Sequence, residues 1–89
     1  MARRSLEIVN EKGLHARASA KFVETVERFD ASAVVARDGL EAAGDSLMGL
    51  MMLTASRGTE IDVTTEGPDA DPLLEALTRL VADRFGEDM

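Results

Sequence analysis

The chain has 89 residues, 45% of them hydrophobic and 30% charged, with no cysteine, one histidine and a formal net charge of −7. That length suits one domain, spanning 1–89, because two smaller pieces would bury too little apolar surface to offset chain entropy, and the composition excludes a disordered chain. The missing thiols exclude a disulfide framework, a cysteine nucleophile and a thiolate metal centre, a lone histidine cannot make a zinc site, and the acidic balance argues against nucleic-acid binding.

Residues Ser5 to Val9 alternate, with Leu6 and Ile8 on one face, and predict a first strand ending at the turn formers of Asn10 to Gly13. Arg3 and Arg4 are followed too soon by charge to be an export signal, so the N-terminus reads as mature sequence. From Ala16 to Phe29 the residues Ala18, Phe22, Val26 and Phe29 recur at helical spacing, the pattern of an amphipathic helix. Ala31 to Arg37 and Leu40 to Ala43 read as two strands joined at Asp38-Gly39, a dipeptide that favours positive φ and a tight hairpin. A short apolar helix from Leu47 to Leu53 follows, with Asp45 or Ser46 as its N-cap. Glu60 to Glu66 places Ile61, Val63 and Thr65 on one face against Glu60, Asp62 and Thr64, the cleanest half-buried strand in the chain. Gly67-Pro68 ends that strand, and Asp69 or Asp71 caps a last helix carrying Leu73, Leu77, Leu80, Val81 and Arg84 on one stripe.

The resulting order, β-α-β-β-α-β-α, makes an α+β open-faced two-layer sandwich: one four-stranded antiparallel sheet covered on one face by three helices. Ser46 to Ser56, the longest uncharged stretch, falls well short of the roughly 20 apolar residues that cross a bilayer, so no membrane insertion is expected.

Charge is unevenly spread. Acidic and basic residues balance up to Arg57, and the excess acid lies beyond it, whereas Lys12 to Lys21 holds Lys12, His15, Arg17 and Lys21 with no acid. This is a local anion site on an acidic protein. His15 falls just before the first helix, where unpaired backbone N–H groups and the positive end of the helix dipole favour an anion. The same dipole disfavours the imidazolium, so a neutral, nucleophilic ring is expected there, able to accept a phosphoryl group. Arg17 offers a planar set of donors for phosphate oxygens. Phosphoryl transfer relies on alignment and charge stabilisation, so a donor protein can supply most of the machinery and this chain only the nucleophile, with no cofactor. A Ser-His hydrolase lacks support, since no G-x-S-x-G elbow occurs and Ser19 is not aimed at His15 by helical spacing. A small acylphosphatase-like enzyme is the rival of similar size; it needs an asparagine beside an arginine loop, and Asn10 is the one asparagine.

The segment GLHARASA, Gly13 to Ala20, resembles the active-site signature of the HPr family, the histidine-containing phosphocarriers of the bacterial phosphoenolpyruvate-dependent phosphotransferase system. The resemblance covers essentially the whole chain, including SLMGLMML from Ser46 to Leu53. Ala18 stands where the family most often has proline, and Asp45 where it usually has a basic residue or asparagine. The resemblance implies a cytoplasmic, stoichiometric carrier rather than an enzyme, phosphorylated on His15 at Nδ1 with Arg17 binding the phosphate. Its partners would be enzyme I as donor and IIA proteins or domains as acceptors, in sugar transport, or in a nitrogen-related regulatory variant acting by phosphorylation-dependent binding. It also implies that Ser46 is the target of a serine kinase, whereas the residues alone make it a helix cap. Leu47, Met48 and Met51 would form the docking side, because a short helix apolar all round cannot hide every side chain and Met-rich surfaces adapt to several partners. A monomer suits such a shuttle.

Overall fold

Strand β4 (Glu60–Glu66) lies second in the sheet, between β1 (Ala2–Glu7) and β2 (Ser32–Arg37), with β3 (Leu40–Ala43) outside β2 and every neighbouring pair antiparallel. A computed structural model describes residues 1–88; Met89, the end of the expected domain, lies outside the described residues. The period-two pattern of β4 sorts as its chemistry requires: Ile61, Val63 and Thr65 are buried, while Glu60 and Glu66 face solvent. Its partners across the ladder follow suit, Leu6 opposite Ile61 and Val35 opposite Val63. One face of the sheet is therefore apolar and must be covered.

The cover is α1 (Ala16–Glu27), α2 (Leu47–Met52) and α3 (Ala70–Ala82), with α3 over β1 and β4, α2 beside β3, and α1 against both other helices. Phe22, Leu50, Leu53, Leu73 and Leu77 fill the space between the layers and are almost fully buried. Each such side chain contributes about 1.5–3 kcal/mol relative to exposure. The hairpin between β2 and β3 turns at Asp38 and Gly39, with φ of 50° and 80°, the positive values that this dipeptide accommodates.

Three local features depart from the expectations drawn from sequence. β1 begins at Ala2 rather than Ser5, because Arg4 takes an inward-facing position at the sheet edge and runs along α3, donating to Thr78 Oγ1 (3.0 Å) and Glu75 Oε1 (3.3 Å). A charged stem can cover apolar surface in this way, which hides the start of the strand from a hydrophobicity pattern. The cap of α2, by contrast, falls to one of its two expected candidates, Ser46, whose Oγ accepts from the Gly49 amide at 3.0 Å. Asp69 occupies the cap position of α3, yet its carboxylate accepts from the Asp30 amide (2.8 Å) and so ties α3 to the end of α1 instead.

The third departure concerns the last helix, which stops at Ala82 and does not carry the stripe on to Arg84. Arg84, Phe85 and Gly86 adopt φ of 56°, 54° and 77°, forming a single 3-10 turn that reverses the chain. A left-handed conformation costs a non-glycine residue roughly 1 kcal/mol or more. Complete burial of Phe85 offsets much of that cost, and Lys21 Nζ clamps the turn by donating to the Phe85 carbonyl at 2.6 Å. Phe85→Ala should lower unfolding free energy by about 3–5 kcal/mol in denaturant titration, the range for an emptied aromatic site.

Candidate functional site

His15 is the N-cap residue of α1, with extended backbone (φ −76°, ψ −178°), and its carbonyl accepts the first helical bond from the Ser19 amide at 2.8 Å. Its position is set from behind by the preceding loop. Leu14 N donates to Ala55 O at 2.9 Å, and Gly13 adopts φ of 67° so close to that segment that a Cβ would stand 2.4 Å from Ala55 O and 2.9 Å from Ser56 Cα. Only glycine fits there, on both conformational and steric grounds. The loop ahead of His15 is thereby pinned to the segment between α2 and β4.

The first turn of α1 contains no acidic residue, and no side chain caps the His15 end. The amides of Ala16 and Arg17 have no acceptor within the helix, and both residues are exposed. Ser19 turns inward: its buried hydroxyl donates to the Leu14 carbonyl at 3.1 Å, which removes it from any hydrolytic role beside His15. The imidazole is 26% exposed, accessible at the surface and steadied on one side.

The steadying partner is Glu87, which the sequence reading missed. Glu87 Oε2 meets His15 Nε2, and Oε1 accepts from Asn10 Nδ2 at 3.1 Å. Asn10 is fully buried and its Nδ2 also donates to the Gly13 carbonyl at 2.8 Å, so one amide links the tail to the loop before His15. Two acceptors surround this nitrogen, which fixes the orientation of the amide and leaves Oδ1 as the buried atom without a partner. Asn10 therefore serves as a brace, not as the amide of an acylphosphatase-like loop. The signal that could have exposed the brace is Phe85, an aromatic two residues before Glu87 that must bury and so return the tail to the core.

Burial alone would raise the Glu87 pKa, but the hydrogen bonds from His15 and Asn10, with the charge of Lys12 and that of His15 when protonated, outweigh it and hold the carboxyl below its ordinary value of 4.5. The carboxyl is thus ionised at neutral pH and can only accept hydrogen bonds. It follows that Nε2 carries the hydrogen, and Nδ1 is the ring nitrogen without a hydrogen-bond partner among the described residues.

Arg17 lines a cleft of about 270 Å³ together with Lys12, Lys21, Gly86, Glu87 and Asp88. The structure thus brings together Lys12, Arg17 and Lys21, as the charge pattern suggested, and adds two carboxylates that the pattern did not contain. A larger cleft of about 690 Å³ includes Glu7, Asp38, Glu60 and Asp62 in its wall, a carboxylate-rich lining unsuited to a phosphoryl group. On α2 the apolar residues divide: Leu50 and the following Leu53 are buried, while Leu47, Met48, Met51 and Met52 are exposed. Ser46 and the proposed docking residues lie on that helix and its cap, separate from the cleft. No group of His, Asp and Glu among the described residues could hold a metal ion.

A model described as the PTS HPr component phosphorylation site matches residues 2–83. The phosphocarrier protein HPr of Neisseria meningitidis serogroup A is 45% identical over 98% of both chains, and the phosphocarrier protein NPr of Escherichia coli K12 is 36% identical over 97% of both. The crystal structure of HPr-C-His from Thermoanaerobacter tengcongensis superposes with a TM-score of 0.95 at 36% identity, covering all of both chains. The chain belongs to the HPr family of phosphocarrier proteins, which serve the phosphotransferase system.

The pinning by Glu87 gives stability a defined pH dependence. A carboxylate whose pKa is lowered by folding contributes stability that is complete above its unfolded value and lost as pH falls through the folded value. Wild type should therefore unfold at higher temperature than Glu87→Gln at pH 7, by an amount matching about 1 kcal/mol, and the gap should narrow as pH falls below 4.5, the ordinary value, when melting curves are compared.

Proposed function

We propose that the chain accepts a phosphoryl group on His15 from phosphorylated enzyme I and passes it to IIA-type proteins or domains. The observation that carries this reading is a partly exposed imidazole at the start of a helix, held by Glu87, a residue that lines one cleft with Arg17, Lys12 and Lys21. The lone pair of one ring nitrogen attacks phosphorus, and the free first-turn amides and the guanidinium receive the charge of the transferred oxygens. No second catalytic group is required from this chain, because the donor and acceptor proteins each contribute alignment from their side.

The exposed Leu47, Met48 and Met51 supply an adaptable apolar surface on which donor and acceptors dock in turn. A single copy carries the whole site, so the shuttle works as a monomer. No described helix is long and apolar enough to cross a membrane, which supports a cytoplasmic carrier. A serine kinase acting on Ser46 would replace the present cap of α2 with a phosphate beside Asp45, whose negative charge opposes it.

Incubation with phosphoenolpyruvate and catalytic enzyme I should label wild type and leave His15→Ala unlabelled. Arg17→Ala should still fold and be labelled about a hundredfold more slowly or worse, as expected when one donor to the transferring group is removed. Equal labelling of wild type and His15→Ala would end the assignment.

A further inference from the structure

We propose that Glu87 is a positioning residue for phosphoryl transfer: it holds the His15 ring through Nε2–H, leaves the Nδ1 lone pair available, and offsets the charge that the phosphorylated ring carries. This rests on His15 being the accepting residue. Glu87 lies beyond residues 2–83, the part of the chain that the family model matches.

The geometry supplies each element of that role. The two oxygens of Glu87 are divided between His15 Nε2 and Asn10 Nδ2, so the carboxylate is fixed from both sides. Asn10 in turn holds the Gly13 carbonyl, and the turn that delivers Glu87 is anchored by the buried Phe85 and by Lys21. The positive φ values of Arg84 and Phe85 represent strain retained in order to bring the tail back to the ring. A carboxylate that accepts from one ring nitrogen selects the tautomer in which the other nitrogen bears the lone pair.

In the transfer step, the Nδ1 lone pair forms the N–P bond while the bond from phosphorus to the donor breaks and its electron pair returns to the donor. The proton on Nε2 stays in place. The ring then bears phosphorus on Nδ1 and hydrogen on Nε2, and its positive charge faces the Glu87 carboxylate. When the group leaves for an acceptor, the N–P pair returns to Nδ1, and no net proton movement is needed in either direction. Lys12, Arg17 and Lys21 face the same cleft and balance the carboxylates of Glu87 and Asp88 there.

The test combines two measurements on wild type, Glu87→Ala and Glu87→Gln, with amide spectra confirming the fold of each. Nitrogen-15 spectra of the ring in the unphosphorylated proteins should show the Nε2–H tautomer in wild type and a mixture in Glu87→Ala. The initial rate of labelling by enzyme I should fall about tenfold in Glu87→Ala, the lower end of the effect of losing a carboxylate behind a functional histidine. Glu87→Gln keeps an acceptor oxygen without the charge, so it should retain the tautomer and label at an intermediate rate. Should Glu87→Ala label as fast as wild type or faster, or should its ring spectrum be unchanged, the positioning role is overturned. Failure of wild type itself to label would overturn the accepting role of His15, a result distinguishable from the first.

Discussion

The placement of His15 depends on a close approach between two backbones. Leu14 donates to the Ala55 carbonyl, and Gly13 lies so near the same segment that no side chain could be inserted. Because Ala55 leads into β4, which is paired to both β1 and β2, the start of α1 is referenced to a strand held on both sides in the sheet. A functional group on a loop is only as well positioned as the loop, and here the loop takes its rigidity from the sheet through two consecutive residues.

The second feature is electrostatic. The helix N-terminus and the cations around it favour an anion, and in the free protein the chain places one of its own carboxylates against the ring. Contact is made at Nε2, and the same Glu87 lines the cleft that has Arg17, Lys12 and Lys21 in its wall. An excess of acid over the whole molecule is thus compatible with a site for a doubly charged group, since charges act locally at the separations involved and distant ones are screened.

Much of this was legible in the sequence. Alternation in Glu60 to Glu66 and helical spacing from Ala18 to Val26 specify both layers, because burial forces those periods. The cluster of Lys12, His15, Arg17 and Lys21 was readable because charges within one short segment cannot be far apart. Glu87 was not, since its meeting with His15 spans 72 positions and depends on a left-handed turn at Arg84 and Phe85; the aromatic ring signals that the tail returns to the core but not the backbone conformation that aims Glu87 at the imidazole. The early start of β1 was hidden for a related reason: Arg4 occupies an apolar position in the pattern and satisfies its charge on α3. Local periodicity reveals what each segment buries, and it is silent on pairings that tertiary packing creates.

The uncovered face of the sheet has a practical consequence. Glu41 on β3 is exposed, and its partner across the ladder, Ala36, shares the side of the sheet turned away from all three helices. With no native thiol in the chain, a Glu41→Cys replacement provides a unique attachment point for a fluorophore or a solid support. A molecule tethered there presents its entire helical layer, imidazole included, to whatever arrives from solution.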